Sequence, residues 1–241
     1  MAIYADDFGL SPSVSKGILK LIQLKRLSHV SIMTIFENDE EIDFLKDLKD
    51  KPKLGLHTTL TGCDGLYTFN RLFLYNLFCK KKLNELKTSF ESLIEKQINS
   101  FIKKVDRSPD YLDYHQHLQL MPFFYELLLK YDLPIRSTSA NVFSTQDGLK
   151  EKIKKKYLAK NSFSEKKIHL MDNEMDKNEL ENYLIHTCQD LSSSTSLLFH
   201  PGFIDETLKK RDSLIWQRQR DYELLRDDAF FNVHLKRFLD E

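Results

Sequence analysis

The chain has 241 residues, with 36 basic and 36 acidic side chains, 41% hydrophobic residues and 12% aromatic residues. This hydrophobic content is sufficient to form a core and excludes a mainly disordered chain, and the length favours a single domain over residues 1–241. The balanced charge removes any general electrostatic case for binding nucleic acid or an anionic membrane.

The sequence carries no targeting or membrane signal that we recognise. No apolar run approaches the roughly 18–20 residues that a membrane helix needs, and the first residues lack the basic and apolar regions of a secretory signal. The three cysteines, Cys63, Cys79 and Cys188, are odd in number and form no CxxC pair, which is typical of reduced thiols. We therefore expect a cytoplasmic protein.

Short apolar or β-branched segments alternate with helical patterns along the chain. Strands are predicted at residues 1–4, 29–36, 53–61, 111–120, 134–139 and 195–199. Helices are predicted from Ser11 and Pro12, from Asn38, within 86–102, from Pro122 to 129, over 178–191 and over most of 214–239. This alternation predicts parallel βα units, but it does not distinguish an open sheet from a closed barrel.

Two segments do not fit the alternation. Residues 62–83 are rich in aromatic side chains and are predicted to form a long loop with a short helix, inserted near the mouth of a barrel. Residues 145–168 are rich in lysine and weakly periodic, which predicts a solvated helix followed by a loop.

Charged and imidazole side chains gather at the predicted carboxyl ends of the strands. In parallel α/β folds these ends share one edge, where ligands and catalytic groups assemble. Five separate segments deliver such groups there: Asp6 with Asp7, His57, His115, Arg136 and His200. Each has an ordinary alternative: an acidic pair at a helix N-terminus for the aspartates, a core histidine for His57 and His200, and a surface ion pair for Arg136.

The segment 111–120 carries the densest group of polar residues. As a strand it would place Asp113, His115, His117 and Gln119 on one face, and burying such a row is costly unless the row binds something. A carboxylate two residues before a histidine can also fix the tautomer of the imidazole. The alternative is an edge strand whose polar face lies in water.

Two imidazoles and one carboxylate can form a three-point site for a divalent cation with open positions for water and substrate. Zinc fits this ligand set, as do manganese, iron, cobalt and nickel, whereas imidazole is a poor match for magnesium. The residues alone leave the identity of the metal open.

Five segments together resemble the YdjC-like carbohydrate deacetylases, the family that includes chitooligosaccharide deacetylase. They are YADDFGLS at 4–11, GLHTTLT at 55–61, DYHQHLQ at 113–119, Arg136, and HPGFID at 200–205. Any one segment is a weak signal, but five in the same order over most of the chain are specific. The resemblance implies an irregular, TIM-like β/α barrel.

The resemblance also implies a role for each candidate residue. One divalent metal ion, magnesium or zinc, would be held by Asp7, His57 and His115. Asp6 would be the general base, and His200 would protonate the leaving amine or stabilise the tetrahedral intermediate. Three further residues would contact the substrate or support the ligands: Arg136, His117 and Asp113.

The implied reaction is removal of the N-acetyl group from an acetylated amino sugar or oligosaccharide, with release of acetate. The alternatives are hydrolysis of another ester or amide by the same ligands, and a catalytically silent sugar-binding protein. The aromatic residues of 62–83 could stack on sugar rings or form a homodimer contact: Tyr67, Phe69, Phe73 and Tyr75.

Two residues depart from the family pattern within these segments. Tyr4 stands where the family has asparagine, which changes a hydrogen bond beside the metal without removing a ligand. Gln119 stands where the family has a third histidine, and an amide cannot titrate near neutrality. We therefore expect an active enzyme, and these two changes leave room for a substrate preference unlike that of its relatives.

Overall fold

The structure is a computed structural model and describes residues 2–36, 39–47, 52–62, 67–136, 167–170, 174–190 and 195–239. Its strands are β1 (Ile3–Phe8), β2 (His29–Ile32), β3 (Lys53–Thr58), β4 (Tyr111–Tyr114), β5 (Lys167–Leu170) and β6 (Thr195–Phe199). Its α-helices are α1 (Pro12–Gln23), α2 (Asp39–Asp47), α3 (Phe69–Phe78), α4 (Lys80–Val105), α5 (Pro122–Leu128), α6 (Lys177–Asp190), α7 (Glu206–Arg211), α8 (Trp216–Arg226) and α9 (Asp228–Phe230). Shorter helical turns cover His115–Leu120, Leu129–Tyr131, Phe231–Leu235 and Lys236–Phe238.

The strands form one parallel sheet in the order β4-β3-β2-β1-β6-β5. This order places β1 near the centre of the sheet. Helix α1 packs on β1 and α4 packs on β3, and these helices help to bury the strands. The predicted α/β class is confirmed. In the described part of the chain β4 and β5 are the outermost named strands, but the start of the strand predicted at 134–139 lies beside β4, because Ile135 forms a parallel bridge with Leu112. Closure into a TIM-like barrel stays a prediction.

Helix α1 begins where the sequence predicts. Ser11 caps it, because its hydroxyl accepts a hydrogen bond from the Val14 backbone N–H at 3.3 Å, and Pro12 occupies the first turn. The helix also contacts the turn that follows β6: a Cβ added to Gly17 would lie only 2.9 Å from the Gly202 Cα. This close approach, which needs glycine, fixes the chain immediately after the end of β6.

The strand predicted over 111–120 is wrong beyond Tyr114. The chain leaves the sheet there and forms a 3₁₀ turn in which Gln116 and His117 both have positive φ angles, 56° and 54°. The Gln119 side chain closes the turn by accepting a hydrogen bond from the Tyr114 backbone N–H at 3.1 Å. Side chains from His115 onward therefore do not alternate between two faces, and the single polar row does not exist.

Other segments differ from the prediction in extent. Strands β2 and β3 end four and three residues before the predicted limits, at Ile32 and Thr58. Residues 62–83 contain more helix than predicted, since Thr68 caps the ten-residue helix α3 and α4 begins at Lys80. Strand β5 was not predicted at all. The predicted cap at Asn38, residues 137–139 of one strand, most of 145–168, and Cys63 lie outside the described residues.

None of the helices in the described ranges combines the length and the apolar character that crossing a membrane requires. The longest, α4, has 26 residues and turns a charged face to solvent. Its other face carries the buried residues Leu83, Phe90, Ile94, Gln97, Phe101 and Val105. Cys79, which precedes it, is a free and exposed thiol.

Candidate metal centre and active site

The two adjacent aspartates near the end of β1 face different partners. Both carboxylates are buried. Asp7 has a φ of 69°, in the left-handed region that is costly for residues other than glycine, and the strained backbone separates the two side chains. The Asp6 carboxylate meets Arg136, whereas Asp7 turns its Oδ1 toward His57 and His115. The two adjacent carboxylates therefore serve different partners.

His57 lies in β3 between carboxylates on both sides of its ring. Its Nδ1 is 2.6 Å from Asp113 Oδ1, and its Nε2 is 3.2 Å from Asp7 Oδ1 and 3.9 Å from Asp6 Oδ2. Burial alone would lower the pKa of His57, but the negative charges of Asp113 and Asp6 outweigh it and raise that pKa to about 10. The imidazole consequently holds a proton on each nitrogen in the absence of another cation.

His115 follows the last residue of β4 and completes the group around Asp7. Its Nδ1 is 3.1 Å from Asp7 Oδ1, and its side chain is 16% exposed, unlike those of Asp7 and His57. The backbone of Gly62 lies against the ring, since a Cβ added there would be 2.9 Å from His115 Nε2. The group is thus open to solvent on the His115 side.

One ligand atom from each of Asp7, His57 and His115 lies within 4.8 Å of the others, which is suitable for holding a metal ion. A second group meets the same criterion and consists of Asp6, His57 and Asp113. That second group already has a cation, because Arg136 Nη1 is 2.5 Å from Asp6 Oδ1 and 2.9 Å from Asp113 Oδ2. In the first group the arginine contact falls on the other oxygen of Asp7, because Arg218 binds Oδ2, and Oδ1 still faces His57 and His115. The first group is therefore the better candidate.

Arg136 is buried and binds the carboxylate of Asp6. Its Nη1 and Nη2 donate to the two oxygens of Asp6 at 2.5 and 2.8 Å, and Nη1 also donates to Ser31 Oγ at 3.2 Å. Burial would raise the pKa of Asp6, yet the positive charges of Arg136 and His57 hold it well below its ordinary value. These contacts favour a role in holding Asp6, and direct contact of Arg136 with substrate stays a prediction.

His117 is buried beside this cluster. Its Nδ1 has no hydrogen-bond partner among the described residues, and burial together with the charge of Arg136 holds the pKa of the ring well below its ordinary value. His117 is therefore neutral, with a polar atom available for a ligand. Gln119 instead uses its Oε1 on the backbone of its own turn.

His200 immediately follows β6 and is half-buried. Its backbone N–H donates to Asp221 Oδ2 at 2.9 Å. The register of β1 and β6 pairs Ala5 with Phe199, which places His200 next to the Asp6–Asp7 end of β1. Burial lowers the pKa of the imidazole, while the carboxylates of Asp7 and Asp6 oppose that shift. The five strand-end segments singled out by the sequence thus meet in one place.

Three residues of this site escaped the sequence analysis. Arg218 is fully buried and donates from Nη2 to Asp7 Oδ2 at 2.6 Å, and Asp221 holds the backbone of His200. Both belong to α8, whose sequence is so rich in charge that it is typical of a solvated helix, and no signal in it marks two buried charges. Ser31, which donates to Asp113 Oδ2 at 2.8 Å, is a polar residue within an apolar strand, a weak signal that was available.

Comparison with known proteins and solved structures identifies the family of this chain. The family model described as YdjC-like protein matches residues 1–235. Carbohydrate deacetylases from Halalkalibacterium halodurans and Thermoanaerobacter pseudethanolicus are 26% and 25% identical, over 93% and 94% of this chain and 94% and 90% of their own lengths. A solved structure of a proposed cellobiose-phosphate cleavage protein from Enterococcus faecalis V583 has a TM-score of 0.69 at 20% identity, covering 99% of this chain and 94% of that one, which supports the fold alone. Since the family model spans every strand-end residue from Asp6 to His200, the chain belongs to the YdjC-like protein family.

Proposed function

We propose that this protein is a metal-dependent hydrolase that removes the N-acetyl group from an acetylated amino sugar or oligosaccharide and releases acetate. The observation that carries the proposal is the convergence of Asp7, His57 and His115 on one point with Asp6 and His200 beside them. The similar proteins named carbohydrate deacetylases support the choice of substrate class.

The donor set fits a divalent cation. In the metal-free site the protonated His57 ring directs its Nε2 proton at Asp7 Oδ1. A cation held by Asp7, His57 and His115 would replace this Nε2 proton. Asp113 supports the same arrangement, because it fixes His57 with Nε2 toward Asp7. When bound, such an ion would make a water molecule more acidic and polarise the acetyl carbonyl. Imidazole ligands favour zinc over magnesium.

Asp6 is the proposed general base. Arg136 keeps its carboxylate ionised, and Asp6 Oδ2 lies 3.9 Å from His57 Nε2, so that the base is adjacent to the ligand group. In the proposed reaction the water oxygen bonds to the acetyl carbon, and Asp6 accepts the proton that the water loses.

His200 is the proposed proton donor. The C–N bond breaks easily only if the nitrogen is protonated, since an amide anion is a very poor leaving group. A proton passed from His200 to that nitrogen gives the free amine, and the acyl carbon leaves as acetate. The electrons of the broken C–N bond stay on nitrogen, so that the step is a hydrolysis that needs no oxidant or reductant.

His117 is the best placed of the three residues proposed to contact substrate, because its Nδ1 is unused among the described residues. It could bind a sugar hydroxyl. Asp113 uses both carboxylate oxygens on Ser31, His57 and Arg136, and Arg136 uses Nη1 and Nη2 on Asp6, Asp113 and Ser31, which leaves only its Nε without a hydrogen-bond partner among the described residues. We therefore assign them the support of His57 and Asp6.

The direct test is release of acetate from N-acetylglucosamine oligomers of graded length by protein that has been loaded with Zn²⁺, treated with a chelator, or treated and reloaded. We expect acetate from the loaded and reloaded protein and none from the chelated protein. A His115→Ala variant, which lacks one proposed ligand, should behave like the chelated protein.

Two other results would overturn the proposal. Phosphate release from a phosphorylated disaccharide without acetate release from any substrate would indicate a different hydrolase on the same ligands. Binding of sugar with no turnover under any metal would indicate a silent sugar-binding protein.

A further inference from the structure

Helix α8 contacts the site at two points one turn apart. Arg218 and Asp221 are three positions apart, which places them on the same face of the helix. Arg218 reaches Asp7, a proposed metal ligand, and Asp221 reaches the backbone of His200, the proposed proton donor.

The contact of Arg218 with Asp7 determines which carboxylate oxygen is free. Arg218 Nη2 donates to Asp7 Oδ2 at 2.6 Å, while Asp7 Oδ1 faces His57 and His115 at 3.2 and 3.1 Å. Asp212 holds the guanidinium from the other side, by a hydrogen bond of 2.8 Å from Arg218 Nε. The side chain of Arg218 is 0% exposed, so the guanidinium is held tightly between two carboxylates. Asp7 is left with one oxygen to offer.

The contact of Asp221 with His200 is anchored in the same way. Asp221 Oδ2 accepts the His200 backbone N–H at 2.9 Å, while Oδ1 accepts from Arg220 Nε and Nη2 at 3.0 and 2.7 Å. Arg220 also donates from Nη1 to the backbone oxygen of Met175 at 2.6 Å. The position of His200 at the end of β6 is thus linked to α8 through a buried chain of hydrogen bonds.

Stability alone is a poor explanation for these buried charges. Removing charged groups from water is costly, and apolar side chains of similar volume are often as stabilising as a buried ion pair. Arg218 also leaves its Nη1 without a hydrogen-bond partner among the described residues, which adds a further cost. A functional role explains why such an arrangement is present.

We propose that Arg218 and Asp221 are positioning residues that fix the geometry of the site from α8. Arg218 restricts Asp7 to presenting Oδ1 alone to a metal, and Asp221 fixes the main chain that carries His200. The spacing of the metal ligand and the proton donor is then set by one rigid helix turn. The first half of this inference rests on the proposed metal site, and the second half rests on the proposed role of His200 as proton donor.

The test separates the two contacts by their effects. In metal-free Arg218→Lys, one ammonium cannot reproduce the contacts of the guanidinium with both carboxylates, and we expect Co²⁺ and Zn²⁺ to bind about 10–100-fold more weakly in calorimetric titrations. In Asp221→Asn we expect metal affinity within about twofold of the wild-type value, but a kcat lower by about 10–100-fold at little-changed KM. The matched controls on the same helix are Arg226→Lys and Glu223→Gln, and they should change neither quantity, since Arg226 is exposed and Glu223 accepts a hydrogen bond from Gln219.

The results that would overturn the proposal are equally distinct. Unchanged metal affinity in Arg218→Lys, with a folded protein by thermal denaturation, would refute the role of Arg218. Equal losses of metal affinity in both variants would show that α8 acts only as a structural support. If the wild-type protein releases no acetate, the proposed function fails, but two substrate-free measurements remain. The first is the metal titration, which tests Arg218. The second is the exchange rate of the His200 amide proton, which should rise in Asp221→Asn. An unchanged exchange rate would refute the role of Asp221.

Discussion

His57 and Asp113 are joined by a hydrogen bond of 2.6 Å between Nδ1 and Oδ1, and both side chains are buried. This bond decides that Nε2 is the nitrogen of His57 that faces Asp7. Asp113 is itself held through Oδ2 by Ser31. The orientation of His57, a proposed metal ligand, is therefore determined by Asp113, which is not one of the proposed ligands.

Replacing Asp113 by asparagine should weaken metal binding by about 10–100-fold. The neutral amide is a weaker acceptor for the His57 N–H, and its NH₂ group can turn toward His57 and disturb the ring. Titration of the metal-free variant with Zn²⁺ measures the effect. The control is Asp132→Asn, because Asp132 is exposed and its φ of 50° suits asparagine as well. Equal affinities for Asp113→Asn and the wild-type protein would contradict the assigned orientation.

The raised pKa of His57 predicts an unusual loss of stability at alkaline pH in the metal-free protein. Its folded-state pKa of about 10 lies above the unfolded value of about 6.5, so the protonated ring stabilises the fold fully below pH 6.5. That contribution should decline as the pH rises from about 6.5 through 10. Urea denaturation in a chelator at several pH values measures the free energy of unfolding. The decline should disappear in His57→Gln, and a flat wild-type profile would contradict the prediction.

The sequence predicted which side chains lie close together better than it predicted the path of the chain, and the roles of those side chains stay predictions. Asp7, His57 and His200 lie at or near strand ends, where parallel topology collects side chains regardless of the exact element boundaries. The fold class followed from the same alternation. The position of a strand end is set by local backbone geometry, however, and hydrophobic pattern alone does not report it.

The errors have identifiable physical causes. The chain turns after His115 because Gln116 and His117 both have positive φ angles. Glycine is the residue that usually signals such a turn, and neither position is glycine. Arg218 is buried only because Asp7 and Asp212 neutralise it, and those partners lie 211 and 6 residues away in the chain. Charge in a helix normally predicts solvent, so such a pairing becomes visible only once the fold brings the partners together.

Arg136→Lys should move the acid limb of the activity profile. A single ammonium cannot hold both oxygens of Asp6, and so the pKa of Asp6 should rise toward its ordinary value. A general base must be ionised, and we therefore expect kcat/KM of the variant to fall at a higher pH than in the wild-type protein as the solution is acidified. The profile of acetate release against pH measures the shift. An acid limb at the wild-type position would exclude Asp6 as the base or Arg136 as the group that controls it.

Gly62→Ala should weaken metal binding through His115. The added Cβ would lie 2.9 Å from His115 Nε2, and the φ of 79° at this position strains any side chain. We expect a loss of about 1 kcal/mol or more in the free energy of unfolding, together with weaker Zn²⁺ binding. Gly9→Ala is the comparison, because Gly9 also has a positive φ but its Cβ would meet the backbone of Met33. The stability loss should occur in both variants and the loss of metal affinity in Gly62→Ala alone, so equal Zn²⁺ affinities would contradict the proposed contact.

His200→Ala should reduce kcat by about 10²–10⁴-fold and change KM little, because the proton that His200 supplies is needed only as the C–N bond breaks. The wild-type protein should also lose activity as the pH rises through a value below 6.5, since burial lowers the pKa of His200 and an acid must be protonated to act. The variant should lack that limb. His186→Ala, on the exposed side of α6, should leave the whole profile unchanged. A loss under about tenfold in His200→Ala, with the alkaline limb intact, would show that another group donates the proton. The next residue to test by the same measurement would then be His117, because its buried Nδ1 is unused among the described residues.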